Sequence, residues 1–306
     1  MRAFGCSGRD LWGLTLVLLA MALAAGSARA ATPLEVAYAG SMGALMERGV
    51  GPAIAQRMAA ELRGRAQGST GLAHLIIAGS IRPDVFIAIT PGPMRTVLRA
   101  GKAARAMPIA RTEMVLAYSP RSRFATQFAA TDGRPWWRIL EQPGLRFGRT
   151  DPEVDPQGLN TIFMLQLAES YYHQARLADK ILGPQLNPRQ IFQEPEVMAR
   201  LQAGQLDASA AYKTQPAAMG LPFVTLPREI NLGDAALANE YRAATVNING
   251  KPRHPSPLVF YAAVLRDAPQ PKLAARFVAW LTSAEAREIM ARYHYDGPGD
   301  ARPLTR

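Results

Sequence analysis

Short apolar runs of strand length alternate with segments of helical periodicity along almost the whole chain, and no other feature constrains the fold as much. Leu34–Ala39, Asp84–Ile89, Met114–Ser119, Leu145–Arg149, Ala208–Tyr212 and Leu258–Leu265 read as strands. Glu61–Ala66 reads as a shorter one, followed by the turn Gln67-Gly68-Ser69-Thr70 and a helix over Gly71–Ala78. Gly43–Ala60 is helical with a break at Gly51-Pro52, because proline has no N–H to donate within a helix. Leu159, Ile162, Phe163 and Leu167 mark one helix face, and Leu273, Phe277, Trp280 and Leu281 mark another. Pro195-Glu196-Val197 opens a further short helix. Thr282-Ser283-Ala284-Glu285 is a capping-box pattern that starts a last helix through Tyr293. Asp132–Pro143 reads as a loop whose Trp136 and Trp137 serve packing. Strands that alternate with helices in this way are buried beneath them, which makes the chain α/β.

The first thirty residues stand outside this pattern. Arg2 and Arg9 precede an apolar run, Leu11–Ala25, and Ala28-Arg29-Ala30 matches the small-residue cleavage pattern of an export signal. The run is shorter than a membrane-spanning helix needs, and no second long apolar run follows. Cleavage after Ala30 is the expectation, giving an exported periplasmic chain that starts at Ala31. The single cysteine, Cys6, leaves with the signal. Its loss excludes disulfides, a thiolate nucleophile and cysteine metal sites from the mature chain.

Residues 31–306 are long enough for a large core or for two lobes. The formal charge of the full sequence is +11, and loss of Arg2, Arg9, Arg29 and Asp10 brings it to +9. A basic balance favours anionic partners through long-range steering, although arginine-rich, lysine-poor usage also arises from genome composition. No concentrated basic run or aromatic nucleic-acid motif accompanies it, so nucleic acid is not an expected partner.

Three turns share one physical feature. Gly40-Ser41, Gly68-Ser69-Thr70 and Asp155-Pro156-Gln157-Gly158 each place small and polar residues between a strand and a helix. Free N–H groups and the positive end of a helix macrodipole lie there, and ligands of open α/β sheets bind beyond the carboxyl ends of the strands. Taken singly, each turn is also an ordinary helix cap. A rival from a different class reads Ala39-Gly40-Ser41-Met42-Gly43 as a degenerate nucleophile elbow, making the chain a secreted serine hydrolase that uses Ser41. That reading needs a histidine base, and of His74, His173, His254 and His294 only His254, in a proline-rich loop, is a candidate. The alanine at 39 and the position on the first strand count against it. An anion cradle is the better reading of the stretch, and no enzyme activity or cofactor is expected.

The chain resembles the periplasmic molybdate/tungstate-binding proteins of ABC importers, in particular their tungstate-binding branch. The stretches that carry the resemblance run from end to end: "YAGSM", "GSTGLAHLI", "FGRTDPEVDPQG" with "LAESYY", "EPEVMARLQAGQLDASAAYKT" and "LPREINLGD". The resemblance implies a type II periplasmic-binding-protein fold, two α/β lobes joined by two crossover segments with a ligand cleft between them. It divides the chain into the signal 1–30, a first lobe over 31–118, a second lobe over 119–220 and a return to the first lobe over 221–306. It implies the substrate-binding component of an importer, a monomer that captures molybdate or tungstate and delivers it to a permease in the inner membrane. The family pattern assigns hydroxyl donors to Ser41 and Ser69, backbone N–H donors to Gln157 and Val197, and a phenol to Tyr212.

One departure concerns charge. In the tungstate branch two carboxylates complete an expanded shell around the metal of the oxyanion; one matches Asp155, whereas the other falls at Ala211. Asp155 therefore has two readings, a contact to the oxyanion's metal or a cap on its own helix, for which aspartate is a favoured residue. A receptor of the same fold for another oxyanion, sulfate or phosphate, is the alternative that this departure opens.

Overall fold

The computed structural model describes Met1, residues 31–131 and residues 135–306. The expected signal with Cys6, and residues 132–134 of the expected loop, lie outside the described residues. Among the described residues no helix is long and apolar enough to cross a membrane.

Two sheets organise the chain, beside a two-stranded ribbon of β9 (Val246–Ile248) and β10 (Lys251–Arg253). The first has six strands in the order β12-β4-β11-β3-β1-β2. They are β1 (Thr32–Ala39), β2 (Ala60–Gln67), β3 (Val85–Ile89), β4 (Arg105–Arg111), β11 (Val259–Val264) and β12 (Leu304–Thr305). β1 runs parallel to both β2 and β3, so their carboxyl ends open on one edge. The second sheet has the order β6-β7-β5-β8, from β5 (Met114–Tyr118), β6 (Phe147–Gly148), β7 (Ala208–Tyr212) and β8 (Phe223–Thr225). Every residue of β3, β5 and β7 is buried, as apolar runs covered on both faces must be. β2 is the opposite case: it closes one edge of the first sheet with Glu61, Arg63 and Arg65 exposed, charges that discourage pairing with another chain.

The chain changes sheets at Thr112–Glu113, between β4 and β5. β5, which the expected boundary at 118 counted with the first lobe, pairs instead with β7 and β8. β8 likewise belongs to the second sheet, so the return begins after Thr225 rather than at 221. The two crossovers lie side by side. The Met114 N–H donates to Asn231 O at 2.7 Å, and the Thr112 N–H to Leu258 O at 3.0 Å. Glu113 accepts from Asn231 Nδ2 at 3.0 Å and pairs with Lys213 at 2.9 Å.

Several local expectations change. The break at Gly51-Pro52 is a π-turn over Met46–Val50, after which a regular helix runs over Gly51–Met58. Proline near the start of that helix needs no N–H partner, and the widened turn before it absorbs the misfit. β4 contains Pro108, which argues against a strand; it is accommodated where the pairing with β11 shifts register between Phe260 and Tyr261. The last helix starts one residue later than its motif suggested. Ser283 Oγ accepts the Ala286 N–H at 3.2 Å, while Thr282 donates to Ala279 O and so closes the preceding helix. Glu285 does not reach back to the cap: it bonds Trp280 Nε1 at 3.0 Å and pairs with Arg57. Trp136 and Trp137 are buried against Tyr172, the second at 3.9 Å between ring centroids, in keeping with a packing role.

Candidate functional site

The turns that follow β1 and β2 face the second lobe. A Cβ at residue 40 would overlap the Glu194 carboxylate, so Glu194 would have to shift for any side chain there. At Gly68 a Cβ would come within 3.1 Å of Val154 O and 3.2 Å of Asp155 Cβ. The Gly71 N–H, in the first turn of the Ser69–Ile77 helix, donates to Val154 O at 3.1 Å. Tyr295, which follows the last helix, donates from its hydroxyl to Ser41 O at 3.0 Å. Ser41, Ser69, Asp155 and Glu194 are therefore brought to one place between the sheets, beyond the carboxyl ends of parallel strands.

Ser41 is buried, and among the described residues its Oγ has no hydrogen-bond partner. Such groups are uncommon in folded proteins and call for an explanation. Ser69 is 1% exposed, and its Oγ accepts the Ile89 N–H at 3.2 Å, which leaves the hydroxyl proton free to donate. Tyr212 ends β7, and its hydroxyl accepts from Asn160 Nδ2 at 3.1 Å, again with its own proton uncommitted. Burial first, then the charges of Asp155 and Glu194, push this phenol well above its ordinary range, so it stays protonated.

The two expected backbone donors are engaged elsewhere. Asp155 is the N-cap of the Pro156–Tyr172 helix, and its Oδ1 accepts the Gln157 N–H at 2.9 Å. Val197 lies one turn inside the Glu194–Ala203 helix, and its N–H donates to Gln193 O at 3.1 Å. The unsatisfied N–H groups of a helix belong to its first turn, which Val197 has already passed. Its side chain packs in an apolar cluster with Met198, Leu201 and Ala211. Strand alternation thus turns Ala211 away from Tyr212 and toward that helix.

Glu194 is the residue that sequence reasoning passed over. Acidic residues in a first helical turn are ordinary, so Glu194 does not stand out at the start of "EPEV". A signal was present all the same: Glu194, Val197, Met198 and Leu201 form the buried stripe of this helix, and an acid in that stripe is out of place. Its Oε1 accepts from Gln215 Nε2 at 3.0 Å, and Gln215 Oε1 accepts the Tyr212 N–H at 3.0 Å. Burial and then the charge of Asp155 push its carboxyl well above the usual range, against a smaller opposing effect of the Ser41 N–H. Burial likewise raises the Asp155 carboxyl to about 6, opposed by the Gln157 N–H. The site thus offers hydroxyl, phenol and amide groups together with two buried acids.

A cavity of about 560 Å³ borders the site at Thr70, Pro156 and Asn160, next to Ser69, Asp155 and the Tyr212 hydroxyl, though none of those three groups lines it. His74, Arg95, Arg99, Lys251, Arg253 and His254 line it, with Glu153 as an acidic neighbour. His254 Nδ1 lies 3.0 Å from Thr245 Oγ1 and 3.1 Å from the carbonyls of Arg242 and Ala244. The candidate base of the hydrolase reading is thus engaged at the cavity rim, while Ser41 Oγ has no hydrogen bond to any described group.

Known proteins resemble this chain across most of its length. A family model described as bacterial extracellular solute-binding protein matches residues 34–296. The molybdate/tungstate-binding protein WtpA of Pyrococcus abyssi is 28% identical over 208 residues, covering 61% of this chain and 60% of that protein. The chain spans about three fifths of the length of the curated relatives it matches first. Among solved structures, the periplasmic molybdate-binding protein of Azotobacter vinelandii matches with a TM-score of 0.62 at 16% identity, over 86% of this chain and 98% of that one. The sulfate-binding protein SubI of Mycobacterium tuberculosis matches at 0.57 and 12%, over 88% of each chain. Likenesses this distant speak to the fold, and the fold is the type II periplasmic-binding one.

Proposed function

This chain belongs to the family of bacterial extracellular solute-binding proteins, and on that premise we propose that it captures a tetrahedral oxyanion, molybdate or tungstate, and hands it to a membrane permease. The observation that carries the reading is the Ser41 hydroxyl, buried and without a partner among the described residues, beside the free hydroxyl proton of Ser69 and the protonated phenol of Tyr212. Hydroxyl donors aimed into a water-poor cleft suit a ligand whose oxygens only accept. The relatives support the ligand class, since two of them, the WtpA proteins, carry molybdate and tungstate in their names. Within this reading residues 1–30 are removed on export, the mature monomer works in the periplasm, its cargo meets the permease at the inner membrane, and no catalysis is involved.

A thermal-shift screen of residues 31–306 with molybdate, tungstate, sulfate and phosphate tests the proposal. A ligand held only by the folded form at a hundred times its Kd adds about 2.7 kcal/mol of stability. For a chain of this size that raises the melting temperature by roughly 5–10 °C. Molybdate and tungstate should do so. A shift given by sulfate or phosphate alone would move the specificity to another oxyanion, and no shift with any of the four would remove the reading.

The basic cavity that borders the site predicts a kinetic effect. Charges that line a cleft raise the arrival rate of an opposite charge, and salt screens them. Replacing Arg95 and Arg253 together by serine should slow association several-fold, about 3–10-fold at low ionic strength, with little change in dissociation. Stopped-flow binding of molybdate at increasing salt reads this directly. An unchanged association rate in the double variant would mean the cavity plays no part in capture.

A further inference from the structure

Glu194 stands where no cation answers it. The residue is 5% exposed, and its carboxyl lies against Gly40, at the turn that carries Ser41. The titratable groups that bear on it are Asp155 from the start of the Pro156–Tyr172 helix, Tyr212 from β7 and Tyr295 from the segment after the last helix. The neutral groups are the Gln215 amide and the Ser41 N–H. Among the described residues no arginine or lysine pairs with either acid. Two carboxylates and an incoming dianion cannot all stay ionised in so small and dry a space, because like charges at close range keep one another protonated. Asp155 has the stronger claim to its charge, since it caps a helix N-terminus and accepts the Gln157 N–H.

Building on the oxyanion reading, we propose that Glu194 meets the anion as a neutral carboxylic acid, donates its O–H to one of the oxyanion oxygens, and so couples capture of the anion to uptake of one proton. The proton comes from bulk water and sits on Oε2, because Oε1 already accepts from Gln215. A site built this way selects oxyanions whose oxygens carry no proton of their own, as the acid has a hydrogen to give and little capacity to accept. The direction of the carboxyl's shift, upward from burial and from Asp155, agrees with this role.

Calorimetry with micromolar molybdate between pH 6 and 8.5, in two buffers of different ionisation enthalpy, tests the proposal. One proton taken up per anion makes affinity fall about tenfold per pH unit once free Glu194 is ionised, and makes the heat depend on the buffer. Glu194→Gln should abolish both the slope and the buffer dependence. Glu194→Ala should lose the slope and at least tenfold of the affinity at pH 6. Wild-type affinity that is flat with pH in both buffers overturns the proposal, and so does a slope that survives in Glu194→Gln but vanishes in Asp155→Asn. Should molybdate bind at no pH, the oxyanion reading fails on its own account, and the infrared spectrum of the free protein then decides. A protonated-carboxyl band that is present at pH 6, fades as the pH is raised to 8.5 and is missing in Glu194→Gln supports the acid; no such titrating band overturns it.

Discussion

Ser41→Ala should weaken molybdate binding by about 1–3 kcal/mol, roughly 5- to 150-fold, and leave the free protein as stable as before or more so. The two effects have opposite signs for one reason. Among the described residues the Ser41 hydroxyl has no partner, so folding carries the cost of stripping water from it and gains no bond in return. Alanine removes that cost and also removes a donor that the anion would use. Ser69→Ala should behave differently, losing affinity and stability together, because Ser69 Oγ holds the Ile89 N–H at the end of β3. Calorimetry and melting of the two variants side by side separate the cases. A Ser41→Ala protein that binds like wild type would show that the hydroxyl faces no ligand. One that melts well below wild type would make it structural.

Gly158→Ala should be among the most damaging single substitutions near the site. A Cβ at 158 would overlap the Thr150 carbonyl oxygen and lie 2.7 Å from the Thr150 carbonyl carbon and 2.8 Å from that of Asp151. These are backbone atoms, and they cannot swing aside as the end of a long side chain can. Overpacking of this kind costs about 1–3 kcal/mol, a drop in melting temperature of roughly 3–10 °C. The turn that must move also holds Asp155 and the Gln157 N–H, so affinity should fall with stability. Gly43→Ala is the control: nothing lies within 4 Å of a Cβ there, and the residue is helical, so alanine should be neutral or slightly stabilising. Equal melting temperatures for wild type and Gly158→Ala would mean that the Thr150–Asp151 segment yields, and that the site is less rigid than its packing implies.

Much of this molecule was legible from its residues alone. The apolar runs of β1, β3, β5, β7 and β11 announced themselves because buried strands admit little else. β4 was not legible, because Pro108 and its flanking arginines obey the local rules against a strand while the register shift that tolerates them lies in a partner 150 residues away. Ser41, Ser69 and Asp155 lie at strand ends or helix starts that the local pattern picks out, whereas Tyr212 entered only through the family resemblance. Val197 could not be placed so simply. Whether an N–H is free depends on the residue at which a helix begins, and a one-turn difference commits it to Gln193.

By itself the sequence determined the α/β class, the turns that carry the hydroxyls and the family, because each of these is written in neighbouring residues and their spacing. Only the tertiary structure decided that β5 belongs to the second sheet, that Asp155 caps its own helix, and that a second carboxyl reaches the site from Glu194 while residue 211 turns into an apolar cluster. The reason is one of range. Caps and strand runs are set by contacts a few residues apart, whereas the charge within a cleft is set by groups from separate elements that meet only when two lobes pack together.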